Sequence, residues 1–221
     1  PSSNGFFFEI SKGVICAGNV FVNNNQGLLI LNSSDAKIFN NTFINSRASF
    51  GRDERGDNPD HFGWHPDTGP GVDERDGHVF VNNLSVFEKD YGFPMLYVWQ
   101  RSHLCERLNV PQIQEIDYNI YVKKVASENG STILWSPFNN EKCQTWIHDP
   151  SELTAIYPAF EANSKLFVSY EGPIFIDEAN RDYRLSPKFK AYDAGTQLPD
   201  EIRKAMEIND GSTAFVGALP K

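Results

Sequence analysis

An asparagine-centred motif repeats at a fixed spacing near the start of this chain. Asn19 and Asn41 each precede a short β-type apolar run, and they lie 22 residues apart. Gly5 and Gly27, which open the preceding apolar runs, are also 22 residues apart. A period in the twenties with a β-type run in each period is typical of a parallel solenoid, whose coils bury their inner faces only by stacking. The repeat therefore predicts a β-solenoid and argues against dividing the chain into two domains.

The same motif returns at Asn83 and Asn119 with longer spacings. Asn83 follows Asn41 by 42 residues, and Asn119 follows Asn83 by 36 residues, so sequence has been inserted into these coils. Insertions in solenoids map to loops on one face, which is often the binding face. We therefore expect a single β-helix domain over 1–221 with an inserted loop over 47–78.

Stacked side chains are expected inside the solenoid, because side chains alternate between the two faces of a strand. An Asn amide both donates and accepts hydrogen bonds at a bend between strands, so the four motif asparagines predict a structural ladder. Aligning the coils predicts two inward columns: Ile15, Ile38 and Val79 in one, and Phe21, Phe43 and either Val86 or Ser85 in the other.

The net charge of −9 limits the partners of this chain. A nucleic-acid backbone or an anionic membrane requires a basic face, which an acidic chain does not favour. No apolar run approaches the roughly 20 residues that a membrane-spanning helix needs. A neutral or cation-bridged ligand fits better, and we expect neither a nucleic-acid partner nor a membrane span.

The three cysteines give little guidance, because they are odd in number and show no metal-type spacing. Cys16 lies in an apolar strand, where a free cysteine packs as a small apolar side chain. We predict burial for Cys16 and nothing further for the other two.

The ends of the chain carry weaker signals. No signal-type pattern or cap precedes the first coil, which begins almost at once, so we expect either further coils before residue 1 or another element that covers that end. The run from Asp149 to Glu152 predicts a helix that ends near Tyr157, with Asp149 as its cap. A second short helix is expected over 199–206. We interpret 173–221 as a C-terminal capping segment whose helix covers the last coil.

Several segments resemble the right-handed parallel β-helix proteins of the pectate lyase-like superfamily. The resemblance lies in the coils at 40–43 and 81–84 and in the C-terminal runs 182–187 and 191–195. It implies an all-β, right-handed parallel β-helix with long loop insertions and short C-terminal helices, of which this chain is the C-terminal part. It also implies a secreted or periplasmic carbohydrate-active protein whose partner is a polysaccharide or oligosaccharide. The reaction is left open, because one scaffold hosts many functions.

The inserted segment differs in composition from the rest of the chain. Residues 52–78 hold eight carboxylates, three arginines, three of the five histidines and one tryptophan. Paired carboxylates supply a general acid and a base or nucleophile for glycosidic cleavage. If the stretch from Asp73 to Asp76 is extended, Glu74 and Asp76 face the same side. The candidate catalytic residues are Glu74, Asp76, Asp73 and His65.

Sugar binding needs an aromatic surface and groups that bind hydroxyls. Trp64 is the candidate platform for the apolar face of a sugar, and His61 can bind a hydroxyl or move a proton. A second cluster follows a predicted strand near residue 99 and either lines the same face or caps the strand end. Arg75 alternatively belongs to a local ion-pair network. The candidate substrate-binding residues are Trp64, His61, Arg75, Arg101 and Trp99.

The charge of the segment bears on the reaction. A lyase that acts on uronic acids must neutralise the substrate carboxylate, whereas this segment is acidic and contains no lysine. Hydrolysis of a neutral or weakly charged glycan by a glycoside hydrolase is therefore favoured. One alternative is a lyase with a calcium-bridged substrate, for which Asp57 and Asp60 are candidate ligands. Another alternative is a non-catalytic β-helix that binds glycan or serves as a structural stalk.

Overall fold

The computed structural model describes residues 4–53, 71–126, 130–208 and 214–219. In chain order the strands are β1 (Asn4–Glu9), β2 (Ile15–Ala17), β3 (Val20–Val22), β4 (Gln26–Leu31), β5 (Lys37–Phe39), β6 (Thr42–Ile44), β7 (Arg47–Arg52), β8 (His78–Val81), β9 (Leu84–Phe87), β10 (Leu96–Gln100), β11 (Ile113–Asp117), β12 (Ile120–Lys123), β13 (Ile133–Trp135), β14 (Thr145–Ile147), β15 (Lys165–Val168), β16 (Phe175–Asp177) and β17 (Asp182–Leu185). The helices are α1 (Pro150–Ile156) and α2 (Asp200–Ala205). Short 3-10 helices span Val72–Glu74, Ser102–Leu104 and Glu178–Asn180.

Three parallel sheets contain most of these strands. Sheet A has the order β1-β4-β7-β10-β13, with β14 added antiparallel at its end. Sheet B has the order β2-β5-β8-β11, and sheet C has the order β3-β6-β9-β12-β15. Consecutive strands pass from sheet A to B to C and back, so each circuit is one coil. The parallel β-helix predicted from the 22-residue period is confirmed.

The register of sheet B decides which side chains face the core. Cys16, Ile38 and Phe80 pair in register, and all three are buried. Ile15 and Val79 lie in the neighbouring outward column, where Ile15 is 39% exposed. The predicted column of Ile15, Ile38 and Val79 is therefore wrong, because an error of one residue moves a strand side chain to the opposite face. The predicted burial of Cys16 is confirmed.

Aromatic stacking marks the inward column of sheet C. The rings of Phe21 and Phe43 stack with centroids 5.0 Å apart and planes at 10°. Ser85 follows Phe43 in register, so of the two predicted alternatives Ser85 occupies this column. Val86 packs instead on the outer side, in a cluster with Ile44.

The four motif asparagines form a ladder at the bend between sheets B and C. The amide of Asn19 donates to Oδ1 of Asn41 at 3.0 Å, and Asn41 donates to Oδ1 of Asn83 at 3.1 Å. Asn83 donates in turn to Oδ1 of Asn119 at 3.3 Å. Asn41, Asn83 and Asn119 are buried, where an unpaired amide is costly, so the ladder pairs their polar groups coil by coil. The predicted structural ladder is confirmed.

Helix α1 closes the core at the last coil. Asp149 caps the helix by accepting a hydrogen bond from the backbone N–H of Ser151 at 2.9 Å. The helix ends at Ile156, next to the predicted end at Tyr157. Leu153 is fully buried in the same apolar cluster as Trp135. The helix predicted from Asp149 to Tyr157 is therefore confirmed, and it packs against the core at Trp135.

The chain after residue 173 returns along the side of the solenoid. Phe175 and Phe189 pack against the outer residues of sheet C, such as Leu84. Helix α2 places the buried Ile202 against Phe39 and Val81 of sheet B. The expectation that this helix covers the last coil is wrong, because its apolar face matches the outward apolar side chains of sheet B.

A disulfide joins two loops on the sheet A to sheet B side. It links Cys105, after β10, to Cys143, after β13, which are 38 positions apart in the sequence and have Cα atoms 6.3 Å apart. The pair lies within the Cα separation that a disulfide requires. In the described ranges, the helices are too short and too polar to cross a membrane.

Candidate functional site

The inserted loop leaves the solenoid at the carboxyl end of β7. Ala48 and Phe50 are fully buried and continue the inward pattern of sheet A, so 47–52 is strand and the predicted loop boundary is corrected. The structure describes the chain again from Gly71. Five candidate residues lie outside the described residues and stay predictions: Asp57, Asp60, His61, Trp64 and His65.

The returning segment, 71–77, is a compact turn. Val72–Glu74 forms one turn of 3-10 helix, and Arg75 after it adopts a left-handed conformation with φ of 53°. Val72 is 1% exposed and fixes the turn to the protein. The extended geometry assumed for Asp73 to Asp76 is therefore wrong, and strand alternation does not decide which carboxylates face the same side.

Arg52, at the end of β7, holds this turn in place through hydrogen bonds. Its fully buried guanidinium donates to the backbone carbonyl of Arg75 at 2.8 Å and to that of Val110 at 2.8 Å. It also donates to Oε1 of Gln100 at 3.2 Å. Burial lowers the pKa of Arg52 to about 10, so it keeps its charge at neutral pH. Arg52 thereby ties the 71–77 turn to the loop after β10.

Arg75 is a structural residue of the same turn. It is 1% exposed, and it donates to Oδ1 of Asn32 at 3.0 Å and to the backbone carbonyl of Asp53. It also pairs with Oδ1 of Asp73 at 3.3 Å. A guanidinium this buried does not present its charge to a polysaccharide, so its placement contradicts the predicted substrate-binding role. The alternative of a local ion-pair network describes Arg75 correctly.

Four carboxylates surround the turn and form what we name the acidic corner: Asp53, Asp73, Glu74 and Asp76. Asp73 and Glu74 are exposed, whereas Asp76 is half-buried. Partial burial raises the pKa of the Asp76 carboxyl, the charge of Arg52 opposes this, and the charge of Glu74 adds to it. The charge of Asp35 also raises it, and the charge of Lys12 opposes it, so several charged groups act on Asp76.

Trp99 lies on the outer face of sheet A beside the acidic corner. Its indole covers Gly51, where an added Cβ would lie 2.6–2.8 Å from three ring atoms, so only glycine lets the ring lie there. Nε of Arg101 pairs with Oδ1 of Asp53 at 2.8 Å. The guanidinium carbon of Arg101 lies 6.0 Å from the centroid of the Trp99 ring. The structure thus brings the predicted residues Trp99 and Arg101 to the acidic corner.

His78 fixes the strand that follows the turn. Its Nδ1 accepts a hydrogen bond from the backbone N–H of Ala36 at 3.1 Å, and the residue is 2% exposed. Burial lowers the pKa of His78 to about 3, and the charge of Arg52 adds to this. The imidazole is therefore neutral and joins β8 to the coil before it.

Sequence reasoning missed Arg52 and Asp53 as parts of this site. The available signal was their position, because both lie where a strand of sheet A gives way to the insertion. An arginine at a strand end next to an acidic loop is expected to bind the carbonyl groups of that loop.

The match to known families comes from the first coils. Residues 1–64 match the model of the family described as periplasmic copper-binding protein (NosD). This segment is 64 of the 221 residues and includes the first two coils and the start of the insertion. The NosD family is a parallel β-helix family, as the structure of these coils is, and it is periplasmic by its description. No curated protein and no solved structure matches the chain.

The described residues do not fit a copper site. Histidine, cysteine and methionine are the usual copper ligands, and residues 4–53 contain only Cys16 of these three types. Cys16 is buried, and burial raises the pKa of its thiol to about 12, so it does not offer a thiolate. Throughout the described ranges, no three His, Cys, Asp or Glu side chains are placed to hold a metal ion.

Proposed function

We propose that this domain binds a polysaccharide or oligosaccharide across the outer face of sheet A, at the acidic corner. The observation that carries the proposal is the Trp99 ring laid over Gly51 next to the Arg101–Asp53 ion pair. A sugar offers an apolar ring face and a rim of hydroxyls, and this surface supplies an aromatic face and charged hydrogen-bonding groups. The net charge of −9 makes a neutral glycan the better ligand.

Glycan binding by Trp99 variants tests this proposal. Trp99→Ala is expected to weaken binding to the best glycan of a screen by about tenfold or more. Gly51→Ala is expected to weaken it as well, because the added Cβ displaces the indole. Tyr183→Ala, which changes a half-buried aromatic side chain on β17, serves as the control. Equal affinity of the wild type and Trp99→Ala in calorimetry would remove Trp99 from the proposal.

Glycoside hydrolysis is the second candidate function, supported by the raised pKa of Asp76 beside Glu74. In this mechanism the protonated Asp76 gives its proton to the glycosidic oxygen as the bond to the anomeric carbon breaks. The Glu74 carboxylate either takes a proton from the water that attacks the anomeric carbon, or attacks that carbon itself to form an ester. In the second route water then cleaves the ester, and the Asp76 carboxylate takes the proton of that water. His65 and Trp64 stay predictions of the same site.

Product release separates the enzyme from the binding protein. Glu74→Gln and Asp76→Asn are each expected to lower hydrolysis by about a hundredfold or more, with binding retained. Glu115→Gln, an exposed carboxylate of β11, is the matched control. Unchanged product release in both variants would show that Glu74 and Asp76 are not the catalytic pair. Binding of a glycan without any cleavage would support the glycan-binding function alone. Cleavage that stops when calcium is chelated supports the lyase alternative with Asp57 and Asp60.

A secreted or periplasmic location belongs to the same proposal. The disulfide between Cys105 and Cys143 supports it, because disulfides persist in oxidising compartments. The periplasmic description of the family that matches residues 1–64 agrees. Alkylation of free thiols in the native protein, followed by mass spectrometry, tests whether the two cysteines are oxidised in cells.

A further inference from the structure

A groove of about 330 Å³ lies at the amino ends of β10 and β13, away from the acidic corner. Tyr91 and Phe93, in the loop before β10, line it. Trp146 of β14 also lines it and is 49% exposed. His148 and Lys123 complete a rim of polar groups. The groove therefore combines exposed aromatic rings with hydrogen-bonding groups.

The aromatic residues Tyr91 and Phe93 of the groove are packed against the core. Phe87 is buried, and its ring centroid lies 5.0 Å from that of Tyr91 and 5.6 Å from that of Phe93. Asp90 holds the tip of the loop, because its Oδ1 accepts a hydrogen bond from the backbone N–H of Gly92 at 2.9 Å. A preformed surface of this kind binds a ligand with a small entropy loss.

Charged groups of both signs line the groove, namely Lys89, Lys123 and Asp90. Burial lowers the pKa of Lys123, and the charges of the Asp90 and Asp149 carboxylates oppose this. The ammonium also donates to the backbone carbonyl of Gly130. The lysine charge is thus met by groups of the protein itself, and the groove suits an uncharged ligand better than a carboxylated one.

The groove is connected to the acidic corner by a row of aromatic side chains on sheet A. The guanidinium carbon of Arg47 lies 5.1 Å from the ring centroid of Phe93 and 5.2 Å from that of Tyr97. The centroids of Tyr97 and Trp99 are 6.4 Å apart. Phe93, Tyr97 and Trp99 therefore form one row on the outer face of sheet A, in which the Arg47 guanidinium links Phe93 to Tyr97.

We propose that this groove is a second binding subsite, which holds uncharged pyranose units of the glycan that Trp99 contacts. The inference rests on the proposed glycan-binding function and extends it to Tyr91, Phe93 and Trp146. The rings contact the apolar faces of the sugar, and His148 and the Lys123 side of the groove face its hydroxyls. A long glycan occupies both subsites, whereas a short one occupies one of them.

Binding of short and long neutral oligosaccharides tests the subsite. Trp146→Ala is expected to lower the affinity for the long ligand by about tenfold. Val125→Arg, a change at an exposed groove residue, blocks the groove without removing a core side chain and is expected to act in the same direction. Ile176→Ala is the matched control, because Ile176 is 50% exposed and lies on β16.

The outcomes separate the subsite from the function. If Trp99→Ala weakens binding while Trp146→Ala and Val125→Arg do not, the groove is not a subsite and the glycan-binding function stands. If neither Trp99→Ala nor the groove variants change binding, both proposals fail. Binding that prefers carboxylated sugars and falls steeply with added salt overturns the assignment of a neutral ligand.

Discussion

The side-chain amide of Asn119 donates to Oε2 of Glu161 at 3.2 Å, so the asparagine ladder ends on a buried carboxyl group. The hydroxyl of Tyr121 donates to Oε1 of the same residue at 2.6 Å, and the hydroxyl of Ser164 also donates to it. Burial raises the pKa of Glu161 to about 7, although these donors oppose the rise. The last position of the ladder is therefore a group that titrates near neutral pH.

The free energy of unfolding is expected to fall through this group as the pH rises. The unfolded chain releases the Glu161 proton near pH 4.5, whereas the folded protein keeps it up to about pH 7. The stabilisation is complete below about pH 4.5 and is lost by about pH 7. Glu161→Gln is expected to remove this dependence in urea unfolding across that window. Glu115→Gln, a change at an exposed position, is expected to leave the pH dependence unchanged. If the free energy of unfolding of Glu161→Gln depends on pH as steeply as that of the wild type, Glu161 is not the titrating group.

His78 is expected to act in the opposite direction. Its pKa in the folded protein is about 3, against an ordinary value of 6.5. Between these two pH values the unfolded chain binds a proton that the folded protein does not bind. Stability from this group is present above about pH 6.5 and falls by up to about 1.4 kcal/mol per pH unit below it. His78→Asn is expected to flatten this acid limb in thermal unfolding, and His103→Asn, at an exposed position, is not. A His78 imidazole that titrates near pH 6.5 by NMR would contradict the burial argument.

The ladder is expected to stabilise the core more at its centre than at its first position. Asn83 is 1% exposed, and its amide donates to the carbonyl of Ile38 and to Asn119, while its Oδ1 accepts from Asn41. Asn83→Ala leaves these buried groups unpaired and is expected to lower the free energy of unfolding by about 3 kcal/mol or more.

Asn19→Ala is the internal control for that experiment, since Asn19 is exposed and water replaces its contacts. It is expected to cost about 1 kcal/mol or less. Equal losses in chemical denaturation of the two variants would show that ladder position has no effect.

The disulfide is expected to stabilise the loops around Gln100. Cys105→Ser with Cys143→Ser removes a link that spans 38 residues, at an expected cost of about 2–4 kcal/mol. A reducing agent is expected to lower the melting temperature of the wild type to that of the double variant. The melting temperature of the double variant is expected not to change when the reductant is added. A change in that variant would show that the reductant acts on a group other than this disulfide.

The repeat was readable from the sequence because the first two coils carry no insertion, so Gly5, Gly27, Asn19 and Asn41 keep one spacing. The sequence does not show which residues of the three-residue strand β2 face the core. Ile15 and Cys16 are both apolar, and only the pairing register shows which of them points inward. Arg75 was misread for a related reason, because charged residues in a polar loop look alike until burial is known.

The groove and the disulfide were out of reach of sequence reasoning for a topological reason. Phe93, Lys123 and Trp146 come from three separate loops and strands, and only the stacking of coils brings them together. Cys105 and Cys143 are likewise on successive coils, at a spacing that the insertions make irregular.

The returning C-terminal segment changes how the solenoid folds. Asn40 donates to the carbonyl of Phe215 at 2.8 Å, and the N–H of Gly217 donates to the carbonyl of Asn82 at 2.9 Å. An ordinary repeat array gains stability coil by coil and frays from either side. Here the second and third coils complete their outer contacts only when residues about 135 to 175 positions later arrive, as the separation of 175 between Asn40 and Phe215 shows. These contacts couple the early coils to the end of the chain, so unfolding is expected to proceed as one cooperative event rather than as progressive unwinding.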